Sequence, residues 1–489
     1  MASVTLISRP VGILALAILA RLLDPADFGL VALAMVLFST ARLFSGLGMG
    51  SALIHNRRDD AQVAFPAFTV TVISALTLFV FINLNMEAFA RLMGNADLTP
   101  IMRWLSLLII FDAMAIVPES LLRKHMRFGV VSRSIIIREL VKNGVAIILA
   151  FSGFGLWSLV WGNLAGALVR TVMIWVASPG WSWLLPGHLN LAIFSELLHY
   201  GVRATGGSLV NFFNSNWDDW FVGRVLGAAA LGFYSKAYNL TNGTIAGFNR
   251  SVLGGVFMPS YAKIQGDRAR LMNMYLKGLS FSALIMAPLS MGVFAVAGEL
   301  VPFLLGDKWL PMIPVLQIFA FMALIRPLAA STSPLFRAVG RPEFDIRGGL
   351  VVLVTLVPLV LWLKQWNIEG VAVAVTVSFA LGFFFNVYQI NRILPGVARR
   401  MAPAIAPSLI ASGLMVGSVI LTRPILSGSS IEDYNWAMLM ALIAVGGTVY
   451  VVAGYLLQRA LVEEVWGLLR SIVRRRKKKG IQQHQVVKA

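Results

Sequence analysis

Positively charged side chains interrupt several of the most apolar stretches of this 489-residue sequence. Arg42 and Arg326 lie close to the midpoints of two such stretches, and Arg250 lies within a third. A charge at the centre of a bilayer costs about 2.5 to 3.5 kcal/mol on insertion scales, so these residues are expected to face a wet cavity or a partner. Because guanidinium groups fit phosphate and pyrophosphate in bidentate geometry, the pattern indicates binding of an anionic ligand.

Structural roles are the alternative for the same arginines. An intramembrane cation that pairs with an acidic neighbour, or that extends its side chain to the nearby interface, needs no ligand. The central positions of Arg42 and Arg326 make such an extension difficult, which favours the binding interpretation for these two. Cations outnumber acidic residues in these stretches, so a cavity between them would attract anions.

Catalytic and metal-binding patterns are weak throughout the sequence. The chain has no cysteine, which removes disulfides, thiolate nucleophiles and thiolate metal sites. Its five histidines are scattered, with no ligand spacing to one another or to a carboxylate. The longest loop, Ser178 to His199, is too short to hold a nucleotide sugar as a soluble domain would. The sequence therefore predicts a protein that is not an enzyme and that uses no metal or organic cofactor.

Composition places these residues in lipid. Hydrophobic residues make up 58% of the chain and charged residues 13%, whereas about a quarter of the residues of soluble domains are charged. Apolar runs of about 20 residues can span a bilayer as helices, and the sequence contains about 14 of them. They begin near Ala2, Leu30, Gln62, Ile101, Ser132, Leu156, Tyr200, Ala229, Leu276, Pro314, Ile346, Val371, Ala404 and Trp436. The predicted fold class is an all-α polytopic membrane protein.

The eighth of these spans, from Ala229 to Phe257, is unusually polar. It carries serine, threonine, asparagine, lysine and arginine side chains along its length. A helix of this composition cannot face lipid, so we expect it to line a wet cavity.

A duplicated pattern divides the chain into two halves. Segment 21–29 is echoed by segment 224–232, and the Leu-Met-Gly at 92–94 is matched by the Leu-Leu-Gly at 304–306. Homologous halves of this kind usually move against each other around a central site. The predicted organisation is an N-lobe at 1–177 (helices 1–6), a cytoplasmic interlobe linker at 178–199, a pseudo-symmetric C-lobe at 200–391 (helices 7–12), helices 13–14 at 392–457 and a basic cytoplasmic tail at 458–489.

Lysine and arginine are distributed unequally between alternate loops, and these residues concentrate in cytoplasmic loops. With fourteen spans, this asymmetry places both termini in the cytoplasm. The run from Arg474 to Lys479 supplies six of the basic residues behind the net charge of +19. We interpret this run as an anchor for anionic lipids, with docking of a cytoplasmic partner as the alternative. Nucleic-acid binding would need stacking aromatics or a recognisable module, and neither is present in the sequence.

Six motifs together resemble one family of membrane transporters. They occupy segments 19–30, 46–54, 121–128, 153–160, 222–238 and 305–309. In these motifs, and over essentially its whole length, the sequence resembles the polysaccharide transport family of Wzx-like lipid-linked oligosaccharide flippases. That family lies in the superfamily that also holds multidrug and toxin extruders and the lipid II flippase.

The resemblance implies two six-helix lobes that form a V around a central cavity, with the last two helices as an addition. It implies translocation of undecaprenyl-pyrophosphate-linked oligosaccharide repeat units across the bacterial inner membrane, by alternating access, for exopolysaccharide or O-antigen synthesis. It also suggests polysaccharide polymerases or glycosyltransferases as partners.

For such a substrate, we expect Arg42 and Arg326 to hold the pyrophosphate, one from each lobe, with Arg250 assisting. The polar and aromatic side chains expected to meet the sugars are Asn214, Asn216, Trp217, Tyr238 and Asn242. Asp218 and Asp219 are candidates for binding a coupling proton or sodium ion, with an interfacial charge pair as the alternative.

Two other functions remain open on the sequence. A drug or toxin extruder of the same superfamily would share the fold, but its cationic substrates would favour a carboxylate-rich cavity. A membrane-embedded polysaccharide polymerase or ligase would carry a large periplasmic loop, and the longest candidate outer loop, Asn83 to Pro100, is small.

Overall fold

The computed structural model contains helices and connecting turns, and no strand, in the part of the chain that it describes. That part comprises residues 2–56, 58–178, 181–184, 194, 196–197, 199, 201, 212–246, 261, 263–264, 266–426 and 435–486. Within it, side chains are described except at residues 2–9, 61, 182, 243–246, 435 and 465–486.

The first helices form one group, which we call the N-lobe. They are α1 (Ala2–Leu22), α2 (Pro25–Gly46), α3 (Met49–His55), α4 (Asp60–Leu84), α5 (Met86–Met93), α6 (Leu98–Leu105), α7 (Leu107–Lys124), α8 (Phe128–Phe151) and α9 (Leu156–Val176). A 3₁₀ turn follows at Ser182–Leu184. Within the group α8 packs against α9 and α1, and α4 packs against α7.

A second group, the C-lobe, follows in the sequence. It contains α10 (212–221) with a π-helical turn at Val222–Leu226, α11 (Ala228–Tyr238) with a π-helical continuation at Asn239–Ala246, α12 (Arg268–Leu305), α13 (Ile313–Ala330), α14 (Thr332–Ala338), α15 (Glu343–Leu363) and α16 (Asn367–Ile393). Short 3₁₀ turns lie at Asp307–Met312 and Lys364–Trp366. The polar eighth span predicted from the sequence corresponds to α11 and its π-helical continuation, and its end at 247–257 lies outside the described residues.

Two further helices pack on the C-lobe. They are α17 (Val397–Leu426) and α18 (Asn435–Val486), which contact each other and α12. Gln458, with φ −146° and ψ 47°, interrupts α18 at the position where the sequence predicts that the basic tail begins. Helical structure continues through the basic run to Val486.

Nine helical segments within the described residues are long and apolar enough to cross a membrane. The number of fourteen spans stays a prediction. Several helices of the structure are missing from the nine segments or are merged with a neighbour, for identifiable reasons. In α1 the stretch whose side chains are described, Pro10–Leu22, is too short to be counted, and α8 carries Arg133, Arg138, Glu139 and Lys142. The consecutive helices α15 and α16 count as one segment, Glu343–Ile393.

Small residues allow the charged helix α8 to lie close to α9. A Cβ atom built on Gly162 would lie 2.6 Å from the carbonyl oxygen of Lys142, and one built on Gly166 would lie 2.8 Å from that of Arg138. Helices in membranes commonly approach each other over such small-xxx-small surfaces, because packing rather than the hydrophobic effect holds them together. The Gly162–Gly166 face therefore fixes the part of α8 that carries its charges.

The duplicated segments found in the sequence meet at the interface between the lobes. Gly29 of α2 lies so close to α11 that an added Cβ would overlap the carbonyl oxygen of Ala228. Gly232 of α11 is in the reciprocal position, because its Cβ would overlap the carbonyl oxygen of Pro25. These two glycines occupy equivalent positions in the repeat, so the close approach is a consequence of the pseudo-twofold arrangement of the two halves.

The arginines that begin the duplicated segments also cross the interface reciprocally. Arg21 donates a hydrogen bond of 2.6 Å to the carbonyl oxygen of Phe303, and its Cγ would lie 3.9 Å from a Cβ atom added to Gly306. Arg224 packs on Gly94, where an added Cβ would lie 2.7 Å from its Nη1. Both Gly94 and Gly306 have positive φ, at 79° and 94°, so a side chain there would also strain the backbone.

A third set of interlobe contacts comes from the 3₁₀ turn after α12. Lys308 Nζ donates to the carbonyl oxygen of Leu23 at 3.0 Å and to Asp24 Oδ1 at 3.1 Å. The indole of Trp309 is fully buried and donates to the carbonyl oxygen of Ala20 at 2.9 Å. We call the contacts of Arg21, Asp24, Arg224, Lys308 and Trp309 the interlobe clasp. They hold the two lobes together at one end of the molecule.

Candidate functional site

A cavity between the two lobes has two adjoining compartments, which share Ser39 and Asn216 in their walls. The first, which we call the Arg42 compartment, has a volume of about 500 Å³. Ser39, Arg42 and Ile116 line it from the N-lobe, and Phe212 and Asn216 line it from α10. None of its lining residues, within the described ranges, is acidic. Of the residues expected to bind substrate, Arg42 and Asn216 therefore share one cavity wall.

The second compartment, which we call the Lys236 compartment, has a volume of about 480 Å³ and a more polar wall. Its charged lining residues are Glu139, Lys142, Asp219 and Lys236, and its amides come from Asn143, Asn163, Asn216 and Asn239. Lys142 Nζ donates to Glu139 Oε2 at 3.1 Å. Lys236 of the C-lobe lies over the ring of Phe28 of the N-lobe, with its Nζ 4.3 Å from the ring centroid. Opposite charges balance in this compartment, whereas the Arg42 compartment is positive.

Arg42 is the exposed end of an ion-pair network inside the N-lobe. Its Nη1 lies 3.3 Å from Asp112 Oδ2, and Arg138 and Arg170 approach the other oxygen of the same carboxylate at 3.9 and 3.7 Å. The side chain of Arg42 is 59% exposed, whereas that of Asp112 is 14% exposed. The predicted alternative of pairing with an acidic residue is therefore observed, but it leaves most of the Arg42 guanidinium facing the cavity.

The network continues to a second buried carboxylate. Arg123 Nη2 lies 2.6 Å from Glu119 Oε1, and Arg170 also bonds Glu119. Four guanidinium groups thus meet two carboxylates, so two positive charges are in excess. Since Arg42 is the most exposed of the four groups, the excess charge is available to an anion in the Arg42 compartment.

Glu119 should contribute measurably to the stability of the protein, because it pairs with both Arg123 and Arg170. In a Glu119→Gln variant, Arg123 and Arg170 lose their anionic partner while partly buried, and removing one partner of a buried ion pair costs about 3 kcal/mol or more. We expect that loss in the free energy of unfolding of the purified protein, together with a lower midpoint of thermal unfolding. Glu87→Gln is the matched control, because Glu87 is exposed in the first turn of α5. Equal stability of the two variants would contradict a structural role for the network.

Arg326 lies in a separate cluster of the C-lobe. Its guanidinium bonds the hydroxyl of Tyr238 and lies over the ring of Phe379, 5.0 Å from the centroid. The ring of Tyr238 packs edge-on against Phe319 at 5.5 Å. Arg326 is half-buried and lines neither compartment of the interlobe cavity. The structure therefore brings Arg326 together with Tyr238, but it does not bring Arg326 into the wall that holds Arg42.

Asp218 and Asp219 face different surroundings, although they are adjacent in the sequence. Successive residues on a helix point about 100° apart, because 3.6 residues complete a turn. Asp218 is buried and accepts a hydrogen bond of 2.7 Å from Tyr234, with its other oxygen left without a hydrogen bond in the described structure. Asp219 instead lines the Lys236 compartment.

The remaining predicted residues are distributed around α10 and α11. Asn214 donates to the carbonyl oxygen of Gly349 at 2.9 Å, which ties α10 to α15. Trp217 stacks on Phe221, with ring centroids 5.4 Å apart, and packs against the hydrophobic core. Asn242 is buried and donates to Thr241 Oγ1 at 3.2 Å. Arg250 lies outside the described residues.

The two lysines of the Lys236 compartment were not among the predicted binding residues. Lys142 is visible in the sequence as an intramembrane cation, but its position in the cavity depends on the close packing of α8 on α9. Lys236 lies in the polar eighth span, and only its contact with Phe28 of the other lobe places it at the interface. In the sequence both lysines are recognisable as charges within predicted spans. The sequence does not show in which direction such a side chain points, so it could not place them in the cavity.

Comparison with known proteins identifies the family. A profile of the family described as "Polysaccharide biosynthesis protein" matches residues 18–314, which is more than half of the chain. The chain belongs to this family. This membership and the all-α membrane architecture confirm the family resemblance and the fold class expected from the sequence.

Relatives of this polysaccharide biosynthesis family member cover most of its length. The lipopolysaccharide biosynthesis protein WzxC of Escherichia coli is 26% identical over 400 residues, which cover 80% of this chain and 77% of WzxC. The succinoglycan biosynthesis transport protein ExoT of Rhizobium meliloti is 26% identical over 480 residues, which cover 93% of this chain and 91% of ExoT.

Solved structures of membrane transporters share the fold of this family member. The lipid II flippase MurJ in an inward closed conformation superposes with a TM-score of 0.77 at 16% identity, over 94% of this chain and 98% of MurJ. An inward-facing multidrug resistance transporter of the MATE family and MOP superfamily superposes with a TM-score of 0.63 at 18% identity, over 80% of this chain and 95% of that transporter.

Proposed function

We propose that this protein is a flippase that moves undecaprenyl-pyrophosphate-linked oligosaccharide repeat units across the bacterial inner membrane, for exopolysaccharide or O-antigen synthesis. The names of its relatives support this proposal, because WzxC is a lipopolysaccharide biosynthesis protein and ExoT is a succinoglycan transport protein. The fold shared with MurJ supports a transport mechanism in which two lobes move around a central site.

The observation that carries the proposal is the pairing of a positive compartment with an amide-rich one between the lobes. A pyrophosphate carries negative charge and accepts bidentate hydrogen bonds, which the exposed guanidinium of Arg42 supplies. Sugars present hydroxyl groups, which suit the amides and charged groups of the Lys236 compartment. The polyprenyl chain stays in lipid, so only the polar head needs the cavity.

Alternating access needs a closure that breaks and re-forms, and we assign this role to the interlobe clasp. Its turns near Asp24, Gly94 and Lys308 belong to the loops that are poor in lysine and arginine, which we propose face the periplasm. With the clasp closed, the cavity is sealed from that side. This orientation also places both termini in the cytoplasm, where the basic run at 474–479 meets anionic lipids or biosynthetic partners.

The residues that line the same cavity argue against the two alternative functions, a drug extruder and a polysaccharide polymerase or ligase. A drug extruder would bind cations, and the Arg42 compartment offers them a positive wall without an acidic lining residue in the described ranges. A polymerase or ligase would need reactive groups held against a bound sugar, and four of the five charged lining residues, Arg42, Glu139, Lys142 and Lys236, are engaged in ion pairs or a cation–π contact instead.

If transport is coupled to a proton or sodium ion, Asp219 is the better placed of the two adjacent carboxylates. It lines the Lys236 compartment, so binding of an ion there changes the charge that the substrate meets. Asp218 is held by Tyr234 within the C-lobe, away from that wall.

Purified protein in proteoliposomes tests the proposal directly. The vesicles carry a lipid-linked oligosaccharide with a fluorescent sugar, and dithionite added outside bleaches only the label in the outer leaflet. We expect the protein to make the inner-leaflet label accessible, whereas protein-free vesicles keep it protected. Continued protection of that label, together with uptake of a lipophilic cationic dye, would replace the proposal with a drug extruder.

A further inference from the structure

A second concave site lies on the C-lobe, away from the cavity between the lobes. It has a volume of about 660 Å³ and is formed by the start of α12, the turn before α15, the first turns of α15 and the end of α16. Four of its ten lining residues are arginines, and no acidic residue is among the ten. The arginines are Arg268, Arg341, Arg347 and Arg392. We call this site the arginine pocket.

The arginines of the pocket have no carboxylate partner among the described residues. Nearby arginines outside the pocket are paired, since Arg270 lies 3.1 Å from Asp267 and Arg337 lies 3.9 Å from Asp345. None of the four pocket arginines forms an ion pair with any described residue of the chain. Four like charges around one concavity repel one another, so the arrangement favours binding of a counter-anion.

Aromatic rings orient three of these guanidinium groups. Arg341 and Arg347 lie over the ring of Phe344, at 5.7 and 5.3 Å from its centroid, and Arg392 lies over Tyr388 at 5.7 Å. A guanidinium that stacks on a ring keeps its in-plane N–H groups free for a bidentate acceptor. The stacking therefore reduces the freedom that these long side chains lose when an anion binds.

The floor of the pocket is apolar. Leu271, Phe344 and Leu394 line it and are buried in the described structure. Apolar groups beneath the charges lower the local dielectric constant, which strengthens the attraction for an anion relative to a fully hydrated surface. The apolar floor therefore distinguishes the arginine pocket from basic residues such as Arg399 and Arg400, which lie exposed in the first turn of α17 and do not line the pocket.

The position of the pocket indicates the kind of anion. All four arginines lie at ends of long apolar helices or in the turn between them, on the side that the loop charges assign to the cytoplasm. Phosphate groups of lipids lie at this level of a membrane. We propose that the arginine pocket binds a phosphate-bearing lipid headgroup, either of an anionic phospholipid or of a polyprenyl pyrophosphate. This binding does not depend on transport through the interlobe cavity.

The test measures binding of inorganic pyrophosphate to the full-length protein in phosphatidylcholine nanodiscs. An Arg42→Ala, Arg326→Ala background removes the two arginines that the transport proposal assigns to pyrophosphate. Replacing Arg341 and Arg347 together with glutamine should weaken binding by about tenfold or more, because two stacked, charge-assisted contacts are lost. The matched control replaces Arg399 and Arg400 with glutamine, which removes the same charge from an exposed surface and should change binding by less than about twofold. Equal weakening in the two double variants would overturn the proposal.

A second double variant, which preserves the charge, keeps the test decisive if the glutamine variant folds poorly. Arg341→Lys with Arg347→Lys retains the charges but loses the stacked fork, so we expect binding to weaken by several-fold, on the order of fivefold. Unchanged affinity in that variant, or no pyrophosphate binding to the parent protein, would overturn the proposal.

Competition distinguishes the two sources of the headgroup. Displacement of pyrophosphate by farnesyl pyrophosphate alone would assign the pocket to a prenyl pyrophosphate, and displacement by dioctanoyl phosphatidylglycerol alone would assign it to a phospholipid. Displacement by both supports the shared phosphate chemistry. Failure of flipping in proteoliposomes while this binding persists would reject the transport proposal alone, and normal flipping without this binding would reject the pocket alone.

Discussion

Cross-linking Asp24→Cys to Lys308→Cys should stop transport, and cleaving the cross-link should restore it. These residues face each other across the interlobe clasp, with Lys308 Nζ 3.1 Å from Asp24 Oδ1. A short bis-methanethiosulfonate reagent would join the two cysteines through disulfides that a reductant cleaves, and the chain has no native cysteine to compete. If the lobes must separate here to release substrate, the covalent link blocks the cycle. The readout is flipping in proteoliposomes before and after reduction, followed with a membrane-impermeant quencher that does not reduce disulfides.

A second ion pair supplies the matched control for this cross-link. Lys277 of α12 lies 2.7 Å from Glu464 of α18, so a cysteine pair at these positions joins helices that do not lie across the interlobe clasp. The same reagent applied to Lys277→Cys with Glu464→Cys should leave transport nearly unchanged. Undiminished transport by the fully cross-linked clasp would show that the lobes do not part at this end.

The repeat was visible in the sequence, but the contact between its two copies at the interlobe interface was not. Similarity between segments 21–29 and 224–232 predicts that two halves share a fold, and it does not say that the segments touch. In the structure Gly29 and Gly232 each allow the backbone of the other lobe to approach. Likewise, Arg21 and Arg224 each reach the glycine-containing turn of the opposite half. A repeat reports common ancestry, whereas contact depends on how the halves dock.

Charges within spans were the strongest site signal, yet their pairing could not be read from the chain. Arg42 and Asp112 are 70 positions apart, and their ion pair forms because α2 packs against α7. The sequence also grouped Asp218 with Asp219 as neighbours, although helical geometry turns them toward different surroundings. The residue type and its depth in a span identified the candidate site residues in the sequence. The direction in which each side chain points could be seen only in the packed helices.

Arg42 is the residue whose loss should reduce flipping most. A charge-assisted hydrogen bond contributes about 1.5 to 3 kcal/mol, so Arg42→Ala should slow transport by about tenfold or more. Arg42→Lys should retain part of the rate, because lysine keeps the charge without the planar fork. Neither variant should prevent insertion, since alanine lowers the insertion cost by removing an intramembrane charge and lysine leaves the charge unchanged. The assay is flipping in proteoliposomes, with lipid-linked repeat units expected to accumulate on the cytoplasmic side in cells.

Arg326 is the second arginine expected to bind pyrophosphate. A Tyr238→Phe variant shows whether Arg326 binds the substrate or only positions the Tyr238 hydroxyl. If Arg326 only positions the Tyr238 hydroxyl, then Arg326→Ala and Tyr238→Phe should slow flipping equally, because each removes the same hydrogen bond. If Arg326 binds pyrophosphate when the lobes rearrange, Arg326→Ala should be the more severe change, and Arg326→Lys should recover part of the rate. We expect the second result, since the guanidinium stacked on Phe379 has further N–H donors available. Wild-type flipping in an Arg42→Ala, Arg326→Ala double variant would return both arginines to purely structural roles.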